Sequence, residues 1–243
     1  MKEQLLLERE DYIIPIHLRK AGKKNVRFTF NTKGGHISIP PFVSSNKAKA
    51  FFQRGLEWTE AYIQANPNWI NTFLRTKYQE GNQINSAFKV YTIKRLAFEG
   101  KIKAKIVDQE ILLKIPDDEA SQFQQLVQIR TSIQREVVRD LKPQLIQLVE
   151  EINKQTLQVQ INQINLRYNH SNWGSCSTNS NLSFSSRLLL AEKWVICSVI
   201  KHELAHFKEM NHSSSFWKLV EQMDPDYKKA NKWLKLNSYR CDY

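Results

Sequence analysis

His202-Glu203-Leu204-Ala205-His206, with His212 six residues further on, is the stretch from which the rest of the 243-residue chain has to be read. On a helix, His202 and His206 stand four residues apart and share one face, one turn apart. Two neutral imidazoles so placed can grip one metal ion. Glu203, beside the first of them, can take a proton from a metal-bound water. This is the H-E-x-x-H arrangement of zinc hydrolases. A catalytic zinc needs a third protein ligand and an open fourth position, and His212 is the nearest candidate. The residues between, Phe207 to Asn211, are too few for another helix and enough for a turn. Asn211 tolerates the left-handed backbone that often ends a helix. Glu221, on a later helical stretch, is the reserve third ligand.

H-E-x-x-H alone arises by chance in soluble helices, so its surroundings matter. The run Trp194-Val195-Ile196-Cys197-Ser198-Val199-Ile200 is apolar enough for a core helix, where a rigid site belongs. After His212, Ser213 is placed to cap a helix through Phe216, Trp217, Leu219 and Val220. Asp224-Pro225 has the pattern of another helix start, with Tyr227, Ala230, Trp233 and Leu234 on its stripe. These aromatics are expected to back the metal helix.

Upstream, residues 164–168 read as a strand. Asn172 to Ser177 and Leu182 to Ser185 read as two arms of a hairpin about the turn residues 178–181. Gly174 inside a strand marks close backbone approach. An edge strand beside a metal can pair with extended substrate. Asn172, Trp173 and Gly174 are therefore candidate substrate contacts, and Glu209 and Asn211 are candidates to orient the histidines. Packing beneath the helix is the plainer reading of Trp173 and Cys176, and is adopted for Cys176. His170 and Tyr168 are the nearest candidates for a second oxyanion donor.

The first part of the chain carries strand patterns. Residues 26–30 alternate, Asn31-Thr32-Lys33-Gly34-Gly35 turns, and residues 36–39 return to Pro40-Pro41, behind a basic segment of Arg19, Lys20, Lys23 and Lys24. His17 and His36 are isolated on these strands and are read as packing or surface residues. Ser44 to Asn46 open a helix to about Gln64 whose aromatic stripe is read as core. Residues 88–93, 101–106 and 110–115 alternate again. Lys101, Lys103 and Lys105 share one face, more simply as edge protection than as a phosphate track. From Asp118 the period becomes helical, with Phe123, Leu126, Ile129, Ile133, Val137 and Leu141 on one stripe and Leu145, Leu148, Val149 and Ile152 continuing it. Pro143 makes this one kinked helix or two. The expected class is α+β: a small antiparallel β-rich domain over 1–117, then a mainly helical domain over 118–243 that contains a β-hairpin. No internal repeat is visible in the sequence.

Composition fits a globular protein, with 41% hydrophobic and 25% charged residues. No run reaches the ~18 to 20 apolar residues of a membrane span, and the N-terminal leucines do not form a secretory signal. Three widely spaced cysteines give no disulfide framework, which points to a reducing, cytoplasmic setting. The net charge of +12 is spread over both halves of the chain. It suits either a solubilising surface or a nucleic-acid or nucleotide partner.

Trp173-Gly174-Ser175-Cys176-Ser177, the run from His202 to Ser213, and Phe216-Trp217 together resemble the YgjP-like metal-dependent hydrolases, relatives of the SprT-type zincin peptidases. The resemblance is strongest over about 165–235. It implies a zincin-like catalytic domain, zinc bound by His202, His206 and His212, and Glu203 as catalytic base. The family usually has Arg before Trp-Gly-Ser-Cys, and Asn172 stands there in this chain, which bears on substrate choice. The leading expectation is a zinc metallopeptidase acting on peptide or protein. A hydrolase of nucleotide phosphoanhydrides is the second, though no Gly-rich phosphate loop is present. A non-catalytic, basic, nucleic-acid-associated zinc module is the third, and Glu203 argues against it because a structural site has no use for a base.

Overall fold

The computed structural model describes residues 2–21, 25–31, 33–74, 77–116, 122–169 and 171–243. Lys23, Lys24, His170 and the junction at Asp117-Asp118 lie outside the described residues. The chain forms two compact units, Met1–Tyr78 and Gln79–Tyr243. The fold is α+β, as the sequence implies, but the units do not divide at residue 117. The strands of residues 83–115 belong with the helices that follow them.

In the first unit β1 (Lys2–Glu8), β2 (Ile13–Lys20), β3 (Arg27–Asn31) and β4 (Gly34–Ile39) form one sheet in the order β1-β2-β4-β3. The expected hairpin is present, with Phe28 opposite Ile37. The sheet is mixed rather than antiparallel, because β2 and β4 run parallel, with Ile16 opposite Gly35. Ile14, Ile16, Ile37 and Ile39 alternate onto one face, and α1 (Ser45–Ala65) covers it. The positions of α1 that are buried are Gly55, Thr59 and Ile63, while Phe51, Phe52 and Leu56 are only partly buried. The reason is proximity. A Cβ on Gly55 would lie 2.3 Å from Ile37 Cδ1, so the helix rests on the sheet by its small residues and its aromatic rings splay to the side.

The second unit opens with the same arrangement. β5 (Gln83–Asn85), β6 (Val90–Ala97), β7 (Lys103–Val107) and β8 (Glu110–Ile115) form a sheet of order β5-β6-β8-β7, again with one parallel pairing, β6 with β8. A helix again follows, α2 (Gln122–Gln155). The sequence showed no internal repeat, and the likeness lies in the topology. Helix α2 is one helix of 34 residues with Pro143 inside it. Proline removes one N–H and leaves the Arg139 carbonyl without its helical partner. Arg139 and Pro143 are both exposed, so water can serve that carbonyl. The opposite face buries Ile133, Val137, Leu141, Leu145, Leu148, Val149 and Ile152, the predicted stripe. The sheet is tied to α2 at Asp140, which accepts from Tyr91 Oη at 2.6 Å and from Lys89 Nζ at 2.8 Å.

A three-stranded sheet follows, built of β9 (Gln163–Arg167), β10 (Gly174–Cys176) and β11 (Asn181–Ser185) in the order β10-β11-β9. β10 and β11 are the predicted hairpin, β11 runs parallel to β9, and β10 is an edge. Then come α3 (Lys193–Ala205), α4 (Ser214–Met223) and α5 (Tyr227–Asn237). Ser213 caps α4 by accepting from the Phe216 N–H at 3.2 Å, as expected. Asp224 does not open α5. It closes α4, and Asp226 is the residue before α5. Among the described residues no helix is long and apolar enough to cross a membrane.

Candidate metal centre

Helix α3 is buried along Val195, Ile196, Val199, Ile200 and Leu204, so its His-bearing turn cannot drift. His202 lies in its last turn and His206 is its C-cap, still in right-handed helical backbone. The chain then turns through 207–209 and brings His212 back. Asn211 does not use a left-handed conformation to do this. The ligand atoms of His202, His206 and His212 all lie within 4.8 Å of one another, and the Nε2 atoms of His202 and His212 are 3.2 Å apart. Two nitrogens held at tetrahedral zinc distances stand roughly 3.3 Å apart, so this donor set fits such an ion.

The environment favours the neutral form of His202 and His206, which is the form that ligates. His202 is pushed down to about 4, first by burial and then by the neighbouring His206 and His212. His206 is lowered too, chiefly by burial. His206 Nδ1 lies 3.1 Å from the Glu209 carbonyl, a contact that leaves Nε2 free. Glu209 therefore orients a histidine through its backbone and not through its carboxylate. The Asn211 carbonyl accepts from the Ser213 N–H at 2.8 Å, and its side chain makes no hydrogen bond to a histidine among the described residues. The aromatics expected behind the helix instead touch the ligands. Phe216 stacks on His206 with ring centroids 4.5 Å apart, and Trp217 lies 5.6 Å from His212 and 5.7 Å from His202. Glu221 is not in the cluster and faces Lys228 at 3.9 Å.

Glu203 is 5% exposed, and burial pushes its carboxyl up to about 8. Its neighbour is the edge strand. A Cβ on Gly174 would meet Glu203 Cγ and Oε1 at 2.6 Å, so only glycine lets β10 pass over this carboxyl. The close approach expected at Gly174 is thus an approach to Glu203. Cys176, on the same face of β10, is pushed up to about 11 by burial and then by the Glu203 charge, and it is not part of the three-histidine cluster. A cavity of about 150 Å³ beside Glu203 and His202 is lined by Trp173, Gly174, Tyr227, Asn231 and Leu234 among others. Asn172 lies in a separate cleft on the other side of the sheet.

Two contributors escaped the sequence reading. Asn231 is a polar residue at a position that continues the Tyr227, Leu234 stripe of α5, and that anomaly was its only signal. Arg187 is 4% exposed, and its guanidinium sits 4.7 Å over the Trp173 ring. It also donates to the carbonyls of Cys241 and Ser238, both at 2.9 Å. An arginine against the apolar run Leu188-Leu189-Leu190 was its trace. Tyr168, by contrast, is committed elsewhere, because its hydroxyl donates to Asp242 Oδ1 at 2.7 Å and is held protonated by burial and by that carboxylate.

Residues 24–237 match the family model of the YgjP-like metallopeptidase domain. The chain belongs to that family. As a YgjP-like protein it is a metal-dependent hydrolase of the peptidase type, and the three-histidine cluster is where its residues could hold the ion. No curated protein sequence matches it. Among solved structures, the chain is similar to the metallopeptidase zymogen of Pyrococcus abyssi abylysin, with 24% identity over 37% of this chain and 92% of that one and a TM-score of 0.34.

Proposed function

We propose that this YgjP-like protein is a zinc metallopeptidase in which His202, His206 and His212 hold the ion and Glu203 is the general base. The observation that carries the reading is the pairing of a buried carboxyl with an open strand edge. Ser185 N–H donates to the Trp173 carbonyl and Ser177 N–H to the Asn181 carbonyl. Antiparallel alternation then turns the N–H and C=O groups of Gly174 and Cys176 outward. An extended peptide can add to that edge with its backbone beside Glu203, whereas a phosphoanhydride would find no such partner. Zinc held by the three imidazoles would supply Lewis acidity toward a carbonyl oxygen and a water.

The remaining work falls to this chain's own groups. Glu203 Oε1, pressed against Gly174, is fixed where it can accept a proton from an attacking water and return it to the departing amine. Its burial favours the protonated state between those events. Phe216 stacks on His206 and keeps that imidazole buried, while His212 stays exposed to solvent. The three free cysteines agree with a reducing compartment such as the cytoplasm.

Metal analysis of purified protein beside a peptide-hydrolysis assay tests this directly. Wild type should carry one zinc per chain, His212→Ala should lose or weaken it, and Glu203→Gln should keep it and lose hydrolysis. Full activity in Glu203→Gln would sink the mechanism.

A further inference from the structure

The sheet β10-β11-β9 has two unlike faces. Gly174, Cys176, Leu182, Phe184, Ile164 and Leu166 alternate toward the metal helix side, where Gly174 meets Glu203. The register sets Ser175, Ser183 and Asn165 in one row across the opposite face, with Gln163 opposite Asn181 on one side and Arg167 opposite Ser185 on the other. This face floors a cleft of about 550 Å³. The side chains of Asn165, Ser175 and Ser183 make no hydrogen bond among the described residues, and Arg167 has neither an ion pair nor a hydrogen-bond partner there. None of the residues lining the cleft is a carboxylate. A lone guanidinium among amides and hydroxyls, with no acid to neutralise it, is chemistry for binding an anion.

We infer that this cleft is a carboxylate-recognition subsite for the peptide substrate, with Arg167 as the specificity-determining residue. The inference rests on the peptidase reading in one respect. A peptide added to the β10 edge alternates its side chains between the two faces. Residues on the Gly174 side approach Glu203, and those on the Ser175 side enter the cleft. Arg167 lies on β9, three strand spacings from a peptide added beyond β10, roughly 14 Å at the usual strand spacing. A substrate side chain and an extended arginine can span that distance together. The carboxylate can come from an Asp or Glu side chain or from the peptide's C-terminus.

The test is equilibrium binding of fluorescent peptides to the full-length, zinc-loaded Glu203→Gln protein, which separates recognition from turnover. One arm compares Glu with Gln at each position of the peptide, and the other compares a C-terminal acid with its amide. The acidic member of one pair should bind about tenfold tighter, and the arm that shows it identifies the source. Arg167→Gln should erase the difference, and Arg167→Lys should retain part of it. Asn165→Asp, which adds a negative charge beside an intact Arg167, should weaken the acidic peptide and spare the neutral one. Equal binding within both pairs, or an acidic preference that survives Arg167→Gln, overturns the inference. Failure of wild type to cleave any peptide, with the Arg167-dependent preference intact, would count against the peptidase reading and leave the subsite standing.

Discussion

Residues 2–65 and 83–155 trace the same path, four strands in the order 1-2-4-3 and then a helix, and they do different jobs. In the first copy α1 is seated on its sheet by Gly55 and Thr59, and β2 bonds onward to Phe73 within the same unit. The second copy is built into the catalytic unit. Its sheet is bonded to α2 through Asp140, and the Ala87 N–H donates to the Leu189 carbonyl, just ahead of α3. One topology thus serves once in the first unit and once as a scaffold within the second. What differs is which backbone and side-chain groups reach outside the repeat, and function follows those groups rather than the topology.

The largest effect should separate the two regions completely. Glu203→Gln should lower kcat by about 10²–10⁴-fold, the usual worth of a general base, with zinc content and the hydrogen-exchange protection of residues 2–65 unchanged. The next test makes one substitution at a tight glycine in each unit. Gly174→Ala drives a methyl into Glu203 and should cut kcat/KM by at least tenfold, on the order of 1–3 kcal/mol of overpacking and displacement. Gly55→Ala carries the same steric cost against Ile37 and should destabilise the first unit by a similar amount. The folded fraction should keep its kcat/KM. A catalytic defect in Gly55→Ala would break the distinction between the two copies.

A smaller effect lies within the second copy. Tyr91 is fully buried, and Asp140→Ala removes the acceptor for its hydroxyl along with the partner of Lys89. Unfolding of the second unit should become easier by about 1–3 kcal/mol, measured by denaturant titration.

The smallest difference is in acid response. His36, stacked on His17 with centroids 4.8 Å apart, is pushed down to about 4 by burial and then by the charges of His17, Arg19 and Lys33. Between its ordinary value of 6.5 and 4 the unfolded chain binds a proton that the folded one refuses. Stability of the first unit should therefore fall as pH drops through that window. Asp140 acts in the other range. Burial raises its carboxyl, but hydrogen bonds from Lys89 and Tyr91 outweigh that and hold it low. Its contribution is present above the ordinary carboxylate range and is lost only as pH falls below it. His36→Gln should flatten the first response and leave the second.

The sequence carried the site better than the frame. The clustering of His202, His206 and His212 was legible because helical spacing and a short turn leave few ways to arrange them. The hairpin that pairs Phe28 with Ile37 was legible from alternation and its turn, though not its register. The parallel pairings were not, because β2 and β6 have the same local pattern whether their neighbour runs with or against them. The boundary at 117 failed for a related reason. A change of period marks a change of element, while compact units follow contacts such as that between Tyr91 and Asp140, which lie far apart in the chain. Glu209 was named as a residue to orient a histidine, and that its carbonyl is the group facing His206 Nδ1 is a choice that only coordinates can make.

The parallel pairings also bear on assembly. In every sheet the parallel partner arrives after a short interval: Ile16 meets Gly35, Thr92 meets Glu110, and Gln163 meets Asn181. Each seam joins segments less than two dozen residues apart, so loop closure costs little and no strand waits for the far end of the polypeptide. A ribosome releasing this chain would let each sheet zip shut in turn, and the histidine-bearing turn would emerge onto a frame already standing.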